Sequence, residues 1–251
     1  MTDVHGRIRE FWDADARTYD EAASHAVSDP LEAAAWRQAL RETLPERGTV
    51  LDVGAGTGAL SLLAAELGHE VTAVDLSPEM LAHAERKAKE RGLDGRMRFV
   101  VGSASEVPSG PFDAVMERHV LWTLPDPIPT LRHWRDVAGR LVLFEGLWGQ
   151  TDPLRRVGDV AADVVRRLMR TPPDHHAPYP DDVFAQLPLA RQTSPAPMIE
   201  AVLEAGWTAV RIKRLRDVEW AARLHQRWPL GWLGHRPRFA LVADPGSTPG
   251  T

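Results

Sequence analysis

The sequence predicts an α/β fold in which a seven-stranded, mostly parallel sheet carries helices on both faces. Two observations predict it. From Thr49 onward, short apolar runs alternate with segments of helical periodicity, an order typical of parallel strands joined by helices. The first apolar run, Thr49 to Val53, is typical of a strand buried on both faces, and a glycine-rich turn follows it directly.

Residues 1–44, which precede this pattern, are expected to form an N-terminal helical cap. Apolar side chains recur there at spacings of three and four residues: Ile8, Phe11, Trp12, Ala16 and Tyr19. A second helix is predicted from Pro30 to Leu44, because Asp29 is a favourable N-cap and proline fits the first helical position.

The core of the fold is predicted in two parts, residues 45–146 and residues 197–243. The predicted strands are 49–53, 70–74, 97–101, 112–116, 140–144, 207–215 and 238–243. The predicted helices are 59–67, 78–91, 127–137 and 197–205. Ser77 before Pro78 is a typical helix start, and Gly68 and Gly206 are typical helix ends.

An insert or lid is predicted between these two parts, at residues 147–196, after the fifth strand. The segment is polar and rich in proline, with one helix at about 153–169. The last residues, 244–251, are mostly proline, glycine, serine and threonine and are predicted to be disordered.

The composition excludes several classes of protein. Hydrophobic residues make up 43% of the 251 residues and charged residues 26%, which excludes a mostly disordered chain. The net charge of −5 argues against a nucleic-acid partner, and the absence of cysteine excludes disulfides and a cysteine nucleophile. No apolar stretch reaches the ~18 residues of a membrane span, and the N-terminus lacks a signal-peptide pattern. We therefore expect a cytoplasmic protein without a membrane partner.

The strongest motif is the run VLDVGAGTG, residues 50–58, which ends a strand and opens a helix. Glycines there permit positive φ and a close approach of backbone to ligand, and the following helix directs its N–H groups at that ligand. Asp75 ends the second strand, where a carboxylate can accept hydrogen bonds from ribose hydroxyls. The glycines are spaced G-x-G-x-G, which disfavours a dinucleotide, and the chain contains no P-loop motif.

This run, followed by Asp75, resembles the first two motifs of class I S-adenosylmethionine (SAM)-dependent methyltransferases. The resemblance covers about residues 45–146. Residues 101–108 are similar to the third motif of that family. Residues 118–126 resemble a stretch of the ubiquinone/menaquinone-methyltransferase-like and natural-product enzymes. The resemblance implies a Rossmann-like fold, with SAM as cofactor and S-adenosylhomocysteine as product.

The resemblance also implies roles for individual residues near the cofactor. Gly54, Ala55 and Gly56 would approach the methionine part of SAM, and Asp75 would hold the ribose. The remaining implied cofactor-binding residues are Asp52, Leu76, Met80, Ser103, Ala104 and Glu117. Leu76 and Met80 would sandwich the adenine, whose edge would meet the Ala104 amide. Ser103 stands where the family often has aspartate, and Glu117 stands where a small polar residue is commoner.

Candidates for catalysis lie after the fourth predicted strand and in the cap. His119 could act as a general base, because its ordinary pKa is near neutrality. Glu117 could hold a cationic group, and Tyr19 would close over the cofactor, as the resemblance implies. A salt bridge for Glu117 and structural roles for His119 and Tyr19 are the alternatives.

The predicted substrate pocket is aromatic and contains no metal. Its expected contacts are Trp12, Trp122, Trp148 and His176. The neighbouring histidines 175 and 176 are poorly spaced for a shared metal ion.

The predicted function is methyl transfer from SAM to an oxygen or nitrogen atom of a small molecule, in specialised natural-product biosynthesis. Four alternatives stay open: a protein substrate, a SAM-bound cyclase, an NAD-dependent oxidoreductase and a non-catalytic protein on this fold. A homodimer is a further option that the sequence leaves open.

Overall fold

The computed structural model describes residues 4–22, 25–147, 153–170, 179–233 and 237–246, with backbone only at 153–156. Seven strands form one sheet: β1 Thr49–Val53, β2 Glu70–Asp75, β3 Met97–Val101, β4 Ala114–Arg118, β5 Leu141–Gly146, β6 Trp207–Arg214 and β7 Arg238–Pro245. Their order across the sheet is β3-β2-β1-β4-β5-β7-β6. β7 is antiparallel to both of its neighbours, and the other pairings are parallel. The prediction of a seven-stranded, mostly parallel sheet is confirmed.

The helices cover both faces of this sheet. They are α1 Val4–Asp15, α2 Pro30–Thr43, α3 Ala59–Glu66, α4 Pro78–Glu90, α5 Pro127–Val137, α6 Pro153–Met169, α7 Asp181–Phe184, α8 Ala196–Glu204 and α9 Arg216–His225. Alternate residues of a strand point to opposite faces, so Val50 packs in the cluster with α2 and α3, whereas Leu51 and Val53 pack in the cluster with α5 and α8. The central strands β1, β4 and β5 are mostly apolar, as expected for strands that are buried on both faces.

Local sequence signals account for where several helices begin. The Ser77 hydroxyl accepts a hydrogen bond from the Met80 N–H at 3.1 Å, and Pro78 occupies the first turn of α4. The Asp29 carboxylate accepts from the Leu31 and Glu32 N–H groups at the start of α2. Both caps satisfy backbone donors that the first turn of a helix leaves free.

The N-terminal helix packs against the chain that follows β5 and α6. Ile8 of α1 shares a buried cluster with Tyr179, Val183 and Leu187. The ring centroids of Phe11 and Tyr179 lie 4.8 Å apart. The cap and this part of the predicted insert therefore form one cover beside the sheet.

The main differences from the sequence prediction concern β4, β7 and a helix between β6 and β7. β4 begins and ends two residues later than expected, because Ala114 is the first of its residues to pair with β1, and Phe112 makes only an isolated bridge to Ala138. α9 was not predicted. β7 continues to Pro245, into the segment predicted as a disordered tail, because Asp244 forms ion pairs with Arg140 and Arg211 at 3.0 and 3.1 Å.

Candidate functional site

A cavity of about 510 Å³ opens at the carboxyl edge of the parallel strands, a size typical of ligand pockets. The loops after β1, β2 and β4 line it, together with the N-terminal cap. Eleven of the residues predicted from sequence lie on this one surface: Trp12, Tyr19, Gly54, Gly56, Asp75, Leu76, Met80, Ser103, Ala104, His119 and Trp122.

The glycine-rich turn after β1 depends on backbone conformations that favour glycine. Gly54 has φ +66°, and a Cβ atom there would lie 2.2 Å from Cγ2 of Val120. Gly56 has φ +56°, and a Cβ atom there would meet no atom within 4 Å. Gly54 therefore lets the turn pack against the loop after β4, while Gly56 leaves open space on the cavity side.

Asp75 lies across from this turn at the end of β2. Its Oδ2 accepts from the Gly56 N–H at 2.7 Å, and its Oδ1 accepts from the Ser77 N–H at 2.8 Å. Burial raises the pKa of the Asp75 carboxyl to about 6, although both backbone bonds act in the opposite direction. Each carboxylate oxygen can accept more than one hydrogen bond, so acceptor capacity toward the cavity remains.

Asp52 and Ala55 are not among the residues that line the cavity. Asp52 is buried within the sheet and accepts a hydrogen bond from the Ser61 hydroxyl of α3. Burial raises its pKa to about 7. The Ala55 N–H donates to the Val74 carbonyl at 3.0 Å, which ties the turn to β2. Both residues support the turn from behind, and their expected contacts with the cofactor stay a prediction.

Glu117 also lies away from the cavity, because β4 extends through it to Arg118. Its side chain is fully buried, and its Oε2 accepts from the Val120 and Leu121 N–H groups at 2.5 and 3.3 Å. Burial raises its pKa to about 8. The carboxyl group caps the turn after β4, and its expected contact with substrate or cofactor stays a prediction.

The cap is fastened to the glycine-rich turn by polar contacts next to Tyr19. Asp20 accepts from the Thr57 hydroxyl at 2.6 Å and pairs with Nζ of Lys87 at 2.5 Å. Asp13 of α1 accepts from the Ser77 hydroxyl. Tyr19 itself stacks on His25, with ring centroids 4.2 Å apart, and burial raises the pKa of its phenol. These contacts hold the predicted lid residue over the cavity.

The loop after β3 brings Ser103 and Ala104 to the same surface. Oγ of Ser103 lies 2.9 Å from Oγ of Ser105, and the Ala104 carbonyl accepts from Nε1 of Trp134 at 2.8 Å. The bond to Trp134 fixes the backbone at the point where the resemblance implies an adenine edge.

His119 follows β4 directly and lies next to a second titratable side chain. Its Nδ1 is 3.4 Å from Oε2 of Glu145, a fully buried residue of β5. Its N–H donates to the Phe144 carbonyl at 3.1 Å, and its φ is +64°. A non-glycine residue held in this region costs about 1–3 kcal/mol, and such strain clusters at functional sites.

Electrostatics keep the His119 imidazole neutral. Burial lowers its pKa well below 6.5, and the positive charges of Arg238 and Arg118 lower it further. If Nδ1–H donates to Glu145, Nε2 carries the free lone pair. This arrangement is that of a general base with its orienting carboxylate.

Comparison with known proteins agrees with this geometry. Residues 50–139, from β1 through α5, match the family model described as a methyltransferase domain. The chain therefore carries a methyltransferase domain over these residues. The ubiquinone biosynthesis O-methyltransferase of Xanthomonas campestris is 34% identical over 156 residues, covering 59% of this chain and 64% of that protein. The release factor glutamine methyltransferase of Deinococcus radiodurans is 44% identical over 125 residues, covering 48% of this chain and 43% of that protein.

The likeness of solved structures extends beyond the methyltransferase domain. The crystal structure of the cyclase SpnF superposes with a TM-score of 0.64 over 95% of both chains, at 17% identity. That comparison shows the fold alone. The chain matches less than two thirds of the length of the two methyltransferase relatives named above.

Several residues near the methyltransferase domain's cavity were not predicted. Glu145 was missed, although a single carboxylate at the end of an apolar strand is itself a signal. Arg118, Arg166, Arg223 and Arg238 also line the cavity, but no sequence spacing connects them. Trp148 and His176, predicted as substrate contacts, lie outside the described residues. Within the described ranges, no group of three His, Asp or Glu side chains could hold a metal ion, and no helix is long and apolar enough to cross a membrane.

Proposed function

We propose that the protein transfers the methyl group of SAM to an oxygen or nitrogen atom of a small molecule. One observation carries this proposal. The glycine-rich turn with Asp75 and the imidazole of His119, which Glu145 contacts from within β5, line the same cavity, so a nucleotide site would adjoin a general base.

The residues around the turn fit SAM. Asp75 offers carboxylate oxygens at a position suited to ribose hydroxyls. The space beside Gly56 admits the backbone approach that the methionine part needs. Leu76 and Met80 supply apolar walls for the adenine, beside Ser103 and Ala104.

In a methyl transfer of this kind, the protein must assist mainly the acceptor. SAM supplies a methyl group on a sulfonium, whose leaving group is neutral and needs little assistance. The protein must align the acceptor atom and remove its proton. His119 would take that proton at Nε2, while Glu145 holds the ring through Nδ1. The charges of Arg118 and Arg238, which lower the pKa of His119, would also lower that of a bound hydroxyl.

The covered cavity favours a small acceptor. The cap closes over the glycine-rich turn through Asp20, and the aromatic rings of Trp12, Trp122 and Tyr179 enclose the space beyond it. The release factor relative acts on a protein, so a protein substrate is the competing outcome of a substrate screen. The resemblance at residues 118–126 supports a role in natural-product biosynthesis.

Ligand binding tests the cofactor directly. We expect calorimetry to show micromolar affinity for SAM and S-adenosylhomocysteine and none for NAD, because Asp75 and the G-x-G-x-G turn suit a single nucleoside. A screen for a methyl mass shift and for S-adenosylhomocysteine release then identifies the acceptor. Binding of NAD alone, or failure of a folded sample to bind either SAM species, would contradict the proposal. Turnover of a substrate without release of S-adenosylhomocysteine would favour a SAM-bound cyclase.

Substitution of the pair tests the general base. We expect His119→Asn to lower kcat by about 10²–10⁴, the range for loss of general-base catalysis, with S-adenosylhomocysteine affinity changed less than about twofold. Glu145→Gln is expected to lower kcat less and to shift the lower pH limb of kcat/KM, because Glu145 acts through the imidazole. His83→Asn, on α4 and away from the cavity, is the control. An equal loss of kcat and cofactor affinity in His119→Asn would make His119 a cofactor-site residue.

A further inference from the structure

Three arginines line the part of the cavity that lies beyond the nucleotide side. Arg166 is on α6, Arg223 is on α9 and Arg238 begins β7. These segments adjoin one another. α6 and α9 both contact the short turn Leu230–Trp232, and the Arg238 N–H donates to Oε1 of Glu219 on α9 at 2.9 Å.

Arg238 lies close to the reacting groups. It pairs with Gly146 in the β5–β7 register, so the antiparallel strand begins at the edge where β5 ends. Its charge lowers the pKa of His119, which places positive potential at the general base.

The arginines differ in how far protein carboxylates neutralise them. Arg166 pairs with Asp163 at 3.2 Å, and Arg238 lies 3.8 Å from Glu32. For Arg223, no carboxylate within 4.0 Å is found among the described residues, and its buried Nε has no hydrogen-bond partner there. The guanidinium lies 5.5 Å from the Trp232 ring, which does not satisfy the N–H group.

Among the residues that the structure describes, the carboxylates that line the cavity lie elsewhere. They are Asp75, which faces the glycine-rich turn, and Asp126, at the start of α5. Arg118 is set apart from the three arginines, because it donates to the His25 carbonyl at 2.9 Å and its charge partly offsets the rise that burial causes in the pKa of Tyr19 in the cap. The cavity is therefore cationic on the side of α6, α9 and β7.

Aromatic rings line the space between the nucleotide side and the cationic side of the cavity. The ring centroids of Trp12 and Tyr179 are 6.1 Å apart, and those of Trp122 and Tyr179 are 5.9 Å apart. Such walls suit an apolar or aromatic body, whereas a guanidinium suits an oxyanion with two acceptor oxygens.

We propose that Arg223, with Arg166 and Arg238, binds an oxyanion group of the molecule that occupies this cavity, a carboxylate or a phosphate carried on an apolar or aromatic body. This step rests on the proposed function, in which that molecule is the methyl acceptor. The anion would anchor the acceptor at α9 and leave its reacting atom beside His119.

Paired fluorescent probes test the inference without knowledge of the acceptor. 8-Anilinonaphthalene-1-sulfonate carries an oxyanion on an aromatic body, and N-phenyl-1-naphthylamine has the same body without it. With the protein saturated by S-adenosylhomocysteine, we expect the sulfonate to bind at least tenfold more tightly than the neutral probe. Its affinity should fall as salt rises.

Variants locate that binding. Arg223→Gln is expected to weaken the sulfonate about tenfold and to leave the neutral probe and S-adenosylhomocysteine unchanged. Arg223→Lys should weaken it less, because the charge remains. Arg166→Gln gives a second test on a separate helix, and Arg227→Gln, exposed and outside the cavity, is the control. Equal affinity for both probes, or unchanged sulfonate affinity in Arg223→Gln and Arg166→Gln, would overturn the inference.

Competition distinguishes the two oxyanions. Displacement of the sulfonate by inorganic pyrophosphate at lower concentration than by benzoate would assign a phosphate, and the reverse order a carboxylate. Loss of S-adenosylhomocysteine affinity in Arg223→Gln would instead assign the arginine to the cofactor and overturn the proposal. If the unchanged protein failed to bind S-adenosylhomocysteine, that result would contradict the proposed function. The affinities of the two probes could still be compared, so the inference about the arginines would still be tested.

Discussion

At the scale of single residues, the buried carboxyl of Glu117 makes folding depend on pH. Its folded pKa is raised to about 8 by burial, above the ordinary value of 4.5. The folded state therefore binds more protons than the unfolded state between these two values. Its contribution to stability is complete below the lower value and is lost as pH rises toward 8, by about 1.4 kcal/mol per pH unit.

We expect Glu117→Gln to remove this dependence. The amide oxygen can still accept from the Val120 and Leu121 N–H groups, and the group no longer ionises. From pH 6 to pH 8, the free energy of unfolding of the variant should rise relative to the unchanged protein by roughly 2–3 kcal/mol, measured by urea denaturation.

Asp113→Asn is the control for this slope. Hydrogen bonds from the Thr49 N–H and hydroxyl lower the pKa of Asp113, so its contribution is lost only in acid, as pH falls through that lowered value. Between pH 6 and pH 8 this variant should run parallel to the unchanged protein. A parallel course for Glu117→Gln would show that Glu117 is already ionised in the folded protein.

The residues proposed to hold the cofactor were easier to identify from the sequence than the arrangement around His119, for a physical reason. Gly54, Gly56 and Asp75 act through backbone conformation and strand ends, which short sequence patterns encode. His119 gains its orientation from Glu145, which is 26 residues away and reaches it only through the β4–β5 pairing. The orientation of the Glu117 side chain follows from the position at which β4 ends, Arg118. That position is set by the pairing of β4 with β1 and β5.

At the scale of elements, the N-terminal cap depends on a few polar contacts for its position. Asp20 joins the cap to Thr57 in the glycine-rich turn and to Lys87 on α4, and all three side chains lie on or near the site. We expect Asp20→Asn to loosen the cap, because the amide keeps the shape but loses the ion pair. The dissociation constant of S-adenosylhomocysteine should rise about three- to tenfold, and amide exchange in residues 4–15 should accelerate.

Glu90→Gln breaks an exposed ion pair with Arg86 on the same helix as Lys87 and serves as the comparison. It should leave both readouts unchanged. If Asp20→Asn behaves in the same way, the cap is held by its other contacts, such as the apolar packing of Ile8 and Phe11 and the hydrogen bond from Ser77 to Asp13.

The elements themselves were predicted well where periodicity and caps agreed, as at α2 and α4. α9 was missed because the prediction assigned no helix between the last two strands, although Val218, Ala221 and Ala222 of α9 are all buried. Its buried apolar residues are short, and the larger Trp220 and Leu224 are exposed. Because α9 was not predicted, Arg223 and the cationic side of the cavity were not identified from the sequence.

At the scale of the whole molecule, alternation of strands and helices predicted the sheet, but the pattern could not show what meets at its edge. The arginines of the cavity come from β4, α6, α9 and β7, and they converge only after the chain has folded.

Self-association stays a prediction. The apolar side chains of Val157, Val160, Val164 and Leu168 are exposed on α6.

Because β7 runs in the reverse direction, the residues that suit a nucleotide and the residues that suit an anion lie far apart in the sequence. A strand parallel to the others would bring its last residue to the edge, whereas β7 brings its first, Arg238, together with the connection that precedes it. The turn and carboxylate that suit a nucleotide lie between residues 54 and 75, and the arginines of α9 and β7 lie more than 140 residues later. Changes in the connection between β6 and β7 could therefore alter which acceptor is chosen without disturbing the methyl donor. A family built on this sheet can diversify its chemistry from its C-terminal third.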